Sequence, residues 1–269
     1  MLPNGLKLPY VEQGDPSGVP VVLLHAFADS WRSFERVLPC LPRSIHAFAV
    51  SQRGHGEADR PASGYGVDEF AADVVAFVDA VGLEAAVIVA SSSASLSVQR
   101  FAADHPNRAL GLVFIGAPRS LRDKPAVAEF LDAVRELDDP IDPAFVREFV
   151  EATVSGPVPP AFMKTVIAES LKVPARVWKA TLEGLLDAVP ATETAAITVP
   201  TLILWGDRDE FLPRSDQEAF AAAIPGSRLV VYEGTGHAVH WEEPERVAAD
   251  VVALATRVRP SRRDRADGS

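Results

Sequence analysis

Short, largely apolar runs alternate along this chain with longer stretches whose apolar residues recur at helical spacing. The runs are 21–24 (VVLL), 45–50 (IHAFAV), 86–89 (AVIV), 109–115 (ALGLVFI), 201–205 (TLILW) and 228–232 (RLVVY). A strand with no polar side is buried on both faces, the condition of a parallel sheet covered by helices. Between the strands, Phe70, Val74, Phe77, Val78 and Val81 fall at i, i+4, i+7, i+8 and i+11, and Gly82 closes this helix. Trp31, Phe34 and Leu38 form a shorter helical stripe, a further helix ends near His105-Pro106, and two more fit 215–223 and 244–256.

The rhythm breaks between 118 and 198. Segments there read as helical, with Pro140, Pro143, Pro157, Pro159, Pro160 and Pro174 as punctuation and no strand among them. The pattern predicts an α/β protein with a mostly parallel sheet flanked by helices. Its core is formed by 1–117 and 199–258, and a helical insertion occupies 118–198.

Composition narrows the function classes. Apolar residues make up 48% of the 269 positions and charged residues 23%, as in soluble globular chains. The 26 Lys and Arg against 37 Asp and Glu leave a net charge of −11, which repels nucleic acid and anionic membrane. Basic residues gather only at 257–265, beside Pro260 and Ser261, and 259–269 reads as a solvated, disordered tail. Cys40 is the single cysteine, so no intrachain disulfide can form. The opening MLPNGLKLPYVEQG does not have the pattern of a secretory signal, and no run of 18 apolar residues occurs. The expectation is a cytoplasmic protein without nucleic-acid or membrane partners, with a homo-oligomer allowed.

Reactive groups of a parallel sheet belong at the carboxyl ends of its strands. After 86–89 comes Ala90-Ser91-Ser92-Ser93-Ala94-Ser95, leading directly into a helix. A tight strand-to-helix turn needs small residues two before and two after its apex. Ala90 and Ala94 meet that need about Ser92. A serine-rich helix cap fits the same segment. After 201–205 come Asp207 and Asp209, and after 228–232 comes His237. Singly, these read as turn or loop residues. Together they give the order serine, acid, histidine, each just past a strand end. A serine hydroxyl needs a base to take its proton, and the base needs a carboxylate to fix its tautomer.

The segments VVLLHAFADSW, SQRGHGEADRP, VIVASSSAS, FAADHPNRALGLVFIGA, PTLILWGDRDEFLP and VVYEGTGHAVHWEEPERV resemble the α/β-hydrolase superfamily over nearly the full length of the chain. The resemblance implies an α/β-hydrolase fold, a cap formed by 118–198, and a catalytic set of Ser92, Asp209 and His237. It assigns the backbone N–H groups of Phe27 and Ser93 to an oxyanion hole and prefers Asp209 over Asp207. Relatives that act on haloalkanes or epoxides carry aspartate where Ser92 stands. Serine therefore implies acyl chemistry on an ester or lactone, with no metal or cofactor. C–C hydrolysis, acyl transfer, peroxyacid or cofactor-free oxygen chemistry, and a non-catalytic ligand-binding relative are the alternatives.

Three positions depart from the family pattern. Ala26, Ala90 and Ala94 stand where relatives usually carry glycine. Alanine in the left-handed backbone that glycine adopts freely costs ~1 kcal/mol or more. The expected substrate is a small molecule with an apolar acyl or alcohol part. Trp31, Phe162 and Trp178 are candidates for its pocket, although each also fits a packing role. His55 and Arg53 read as structural residues of one turn. His240, three after His237, lacks the third ligand a metal site would need.

Overall fold

A computed structural model describes residues 1–122, 124–194 and 196–258. The tail expected to be disordered, 259–269, lies outside the described residues. Seven strands form one sheet: β1 (Tyr10–Gln13), β2 (Val19–Leu24), β3 (Ile45–Val50), β4 (Ala86–Ser91), β5 (Ala109–Ile115), β6 (Thr201–Gly206) and β7 (Arg228–Tyr232). Their order is β1-β3-β2-β4-β5-β6-β7, with β1 antiparallel to β3 and every other pairing parallel. The sequence pattern gives six of these strands. It misses β1, a four-residue edge strand whose YVEQ is nowhere fully buried.

Both faces of the sheet are covered. Val22 and Leu24 of β2 and Ile88 and Ala90 of β4 pack with Val74, Phe77 and Val78 of α1 (Val67–Ala80) and Val98 and Phe101 of α2 (Ala94–Asp104). The alternate residues Val21, Leu23, Val87 and Val89 face the other way, toward Phe34, Val37, Val247, Val251 and Leu254. Period-two alternation thus feeds two cores at once, and each fully buried aliphatic side chain contributes about 1.5–3 kcal/mol. The expected helix through Trp31, Phe34 and Leu38 is instead two short 3₁₀ segments, Trp31–Phe34 and Leu38–Cys40. Pro39 lacks the N–H that a continuous helix needs.

Between β5 and β6 lie α3 (Pro125–Arg135), α4 (Pro143–Glu151), α5 (Pro160–Ser170), α6 (Ala175–Asp187) and α7 (Ala191–Thr194). The prolines mark helix starts. Pro143 and Pro160 open α4 and α5, where a missing N–H costs nothing, and Pro174 caps α6. These helices bury a third core, including Val146, Val166 and Trp178, against Ala28, Tyr65, Phe70 and Trp241 of the sheet domain. After β6 come α8 (Arg214–Ala223), the short α9 (Val239–Glu242) and α10 (Pro244–Arg257). No helix among the described residues is long and apolar enough to cross a membrane.

The order of strands reverses between β2 and β4. The chain leaves β2 toward β3 on one side and leaves β4 toward β5 on the other, so a crevice opens beyond their paired carboxyl ends, the place where open α/β sheets bind ligands. The loop 25–29 and the turn 91–93 both open onto it.

Candidate active site

Ser92 follows the last residue of β4 and holds a left-handed backbone, φ 47°. Its amide donates to the Ile115 carbonyl at 2.8 Å, and its carbonyl accepts from Ser95 N at 2.9 Å. The turn is pinned to β5 on one side and to α2 on the other. Ser93 takes the cap position of α2 without a side-chain capping bond. Helix capping therefore does not account for this serine cluster. Ser95 and Ser97 donate to the Pro118 and Ala94 carbonyls.

The Ser92 hydroxyl meets His237 Nε2 at 2.8 Å, and His237 Nδ1 meets Asp209 Oδ2 at 2.8 Å. Asp209 Oδ1 accepts from the amides of Phe211 (2.8 Å) and Leu212 (3.0 Å). Its side chain is fully buried and His237 nearly so, at 0% and 12% exposure, which shields the pair from water. Asp207 lies elsewhere and accepts from Gly234 N at 2.6 Å, closing the turn that leads to the histidine. Gly116, φ 51°, makes room for the imidazole. A Cβ there would stand 2.7 Å from the His237 carbonyl oxygen and 3.1 Å from its ring.

The amides of Phe27 and Ser93 have no hydrogen-bond acceptor among the described residues, and both residues line the cavity over Ser92. His25 fixes the Phe27 loop. Its Nε2 accepts from Gln52 N at 3.0 Å, its carbonyl accepts from Gln52 Nε2 at 2.7 Å, and Nδ1 faces the Ala26 carbonyl at 2.7 Å. Burial, reinforced by His55, drives the His25 pKa well below its ordinary value. His55 is likewise held down to about 4 by burial, with its Nδ1 on the Arg53 carbonyl at 2.7 Å. Arg53 makes two 2.6 Å contacts with Asp73 of α1, both residues being buried. These residues build the turn beneath the site, as the sequence suggested.

Strain falls in a different place from the one expected. Among the described residues, those with positive φ other than glycine are Ser92 and Ala28 (φ 55°), and Ala26, Ala90 and Ala94 do not join them. The three alanines supply small size alone, so the left-handed conformation rests on the serine itself.

The cavity has a volume of about 190 Å³, somewhat more than the ~150 Å³ that accommodates benzene in an engineered protein core. Ser92 and His237 sit in a wall completed by Phe27, Leu121, Phe130, Phe149, Leu182 and Leu185. Phe130 and Phe149 stack at 5.1 Å, and Phe27 meets both edge-on. Trp31, Phe162 and Trp178 do not line this cavity. Trp178 is fully buried behind it, edge-on to Phe27 at 5.0 Å, and Phe162 packs on Trp241 at 5.7 Å. Trp31 lies under the Arg32 guanidinium at 4.8 Å and packs on the sheet core. The sequence reading missed Phe130 and Phe149 because several helices between β5 and β6 offer apolar residues at helical spacing, and it missed Phe211, which lies in the loop after β6 two residues past Asp209. It also passed over Asp29 as a cavity residue, although a carboxylate in the apolar stretch Phe27-Ala28-Asp29-Ser30-Trp31 was the available signal.

Fold and site together define an α/β-hydrolase fold in which a hydroxyl, an imidazole and a carboxylate are hydrogen-bonded in series. The chain belongs to the alpha/beta hydrolase family, whose model matches residues 21–250. It is similar to a non-heme haloperoxidase from Rhodococcus erythropolis, 29% identical over 271 residues, covering 93% of this chain and 96% of the relative. An esterase from Rhodococcus sp. ECU1013 has a similar structure, with a TM-score of 0.85 at 27% identity over 96% of this chain and 98% of its own. An esterase from Exiguobacterium antarcticum shares the fold, with a TM-score of 0.85 at 22% identity over 95% and 97%.

Proposed function

We propose that this protein is a serine hydrolase that cleaves a carboxylic ester or lactone through an acyl-enzyme. The observation that carries the reading is the 2.8 Å contact of Ser92 Oγ with His237 Nε2, made while Nδ1 engages Asp209. In that tautomer His237 Nδ1–H donates to Asp209, and Nε2 is free to take the serine proton. Ser92 Oγ attacks the carbonyl carbon, and His237 removes its proton. The carbonyl oxygen becomes an alkoxide held by the Phe27 and Ser93 amides, each such donor contributing about 10²–10³-fold in rate. The carbon–oxygen bond to the alcohol then breaks, and His237 returns the proton to the departing oxygen. Water, deprotonated by His237, attacks the acyl-enzyme and releases the acid and the free serine.

The apolar walls suit an apolar acyl or alcohol part, and the helices α3–α6 act as the cap that selects it. No step calls on a metal or cofactor. The esterase relative from Rhodococcus supports the ester reading. The haloperoxidase relative favours a second fate for the same intermediate, in which hydrogen peroxide replaces water and a peroxyacid leaves.

A fluorophosphonate probe followed by peptide mass mapping tests the nucleophile. Label is expected on Ser92 and absent from Ser92→Ala. Label on Ser91 or Ser93, or none, contradicts the assignment. A screen of p-nitrophenyl esters and lactones of graded chain length then defines the substrate, with added peroxide separating the two fates.

A further inference from the structure

The loop that carries His237 is held from the helices between β5 and β6. Glu242, the last residue of α9, turns its carboxylate back over that loop. Oε1 accepts from Gly236 N at 2.8 Å and from Ser155 N at 3.1 Å, and Oε2 accepts from Gly156 N at 2.5 Å. Ser155 and Gly156 lie between α4 and α5, 87 and 86 residues from Glu242 in sequence. On the other side of the histidine, Ala238 N donates to the Thr153 carbonyl at 2.9 Å. Ser155 Oγ donates to the Arg208 carbonyl, next to Asp209, at 3.3 Å. The two segments approach closely: a Cβ on Gly236 would stand 2.8 Å from Ser155 N and 3.0 Å from the Thr153 carbonyl oxygen. Amide hydrogen bonds to a carboxylate are roughly twice as strong as neutral ones. A bond from Glu242 to Gly236 alone would be a local staple of the turn. The two bonds to the α4–α5 loop serve no local turn. Ser92 and Asp209 hold the imidazole ring, while Glu242 and Thr153 hold the backbone on either side of it.

We propose that Glu242 is a positioning residue for His237, its carboxylate tying the amide ahead of the histidine to the α4–α5 loop so that the docked cap sets the place of the base. The inference rests on the hydrolase reading for the role of His237 and adds to it a dependence on the cap. Glu242, Gly236 and Gly156 do not line the cavity, so the clamp acts on the histidine loop and not on the substrate. A reacting group displaced by about 1 Å loses on the order of 10²-fold in rate. The same fault can be introduced from the cap side. A Cβ on Gly156 would stand 2.4 Å from Glu242 Oε2, so alanine there pushes the carboxylate off its amides.

Glu242→Ala should lower kcat on p-nitrophenyl esters by roughly 10²-fold, with KM within about threefold of the wild type. Glu242→Gln keeps an acceptor oxygen for Gly236 and Ser155 and turns an NH₂ toward Gly156, so it should lose only about 10-fold or less. Gly156→Ala should also lower kcat with little effect on KM. Added to Glu242→Ala, it should cost no more than about twofold further, since both act on one contact. Where Glu242→Ala does not fold, Glu242→Gln and Gly156→Ala carry the test. Fluorophosphonate titration separates positioning from folding. Each variant should still label fully, but more slowly. A reduced labelled fraction with normal kcat per labelled site would make Glu242 a purely structural residue and overturn the proposal, as would losses that multiply in the double variant. The proton between His237 Nδ1 and Asp209 gives a low-field NMR resonance that needs no substrate, and it should be lost in Glu242→Ala. Where the wild type hydrolyses no ester, loss of that resonance in the variants upholds the clamp and retires the hydrolase chemistry alone. Ester turnover and resonance both unchanged in every variant retire the clamp alone.

Discussion

Asp209 holds His237 with one carboxylate oxygen while the amides of Phe211 and Leu212 hold the other. The two amides aim the carboxylate at the imidazole, so its orientation does not depend on the histidine. Asp209→Asn should reduce kcat by roughly 10³–10⁴-fold with little change in melting temperature, since the amide offers His237 a wrong tautomer. Asp207→Asn should leave kcat within about threefold, because Asp207 acts on the Gly234 turn. Ester kinetics and thermal melts on both variants check the pair. Equal losses of activity would remove the distinction between the two acids.

Gly116 makes a second prediction. Alanine there meets the His237 carbonyl and ring and must displace them. A shift on the order of 1 Å at a reacting group costs about 10²-fold in rate. Gly116→Ala should therefore lose about that much kcat while retaining a cooperative unfolding transition. Unchanged kcat would mean that the histidine loop yields freely.

Cavity shape gives a third. Phe149 is partly buried and lines the site beside Phe27, edge-on to it at 6.0 Å. Phe149→Ala should shift preference toward longer acyl or alcohol chains, at a stability cost below the ~3–5 kcal/mol of a fully buried Phe. By contrast, Trp178→Ala should cost the full ~3–5 kcal/mol, because Trp178 is entirely buried and supports Phe27, Phe145 and Phe149 from behind the cavity wall. A chain-length series and urea titrations distinguish the two residues.

Stability should fall in acid. Burial keeps His25, His55 and His240 neutral in the folded chain, His55 down to about 4 and His240 down to about 3. Unfolding returns each toward about 6.5. Below that pH the unfolded state binds more protons, so each histidine removes up to about 1.4 kcal/mol per pH unit. Asp29 works the other way. Its carboxyl, raised to about 7, keeps its proton in the folded state between roughly pH 4 and 7, so its contribution declines as pH rises across that window. Urea titrations should show stability dropping from pH 6.5 toward 4.5, and dropping more steeply in Asp29→Asn, which lacks the opposing group. A flat profile over that range would show that the histidines are not held neutral.

Much of this was legible in the sequence because burial on both faces leaves a plain signature. The five interior strands read directly from their apolar runs, and the edge strand β7 from the LVVY of RLVVY, whereas the four residues YVEQ of β1 contain no apolar run. Ser92 and His237 could be picked out because strand ends and chain order constrain them, the resemblance to the α/β-hydrolase pattern preferred Asp209 over Asp207, and the fold brings the three side chains together. The cavity wall had no such constraint. Phe162 and Phe149 sit on helices of similar character, and only the way α4 and α5 pack decides which of them meets the ligand.

The backbone twist at Ser92 is flanked by methyl-bearing residues that hold ordinary dihedrals. A glycine-bracketed signature would therefore pass over this chain, although its turn has the required shape. What such a bend demands of its neighbours is slimness, and alanine meets that demand as well as glycine does.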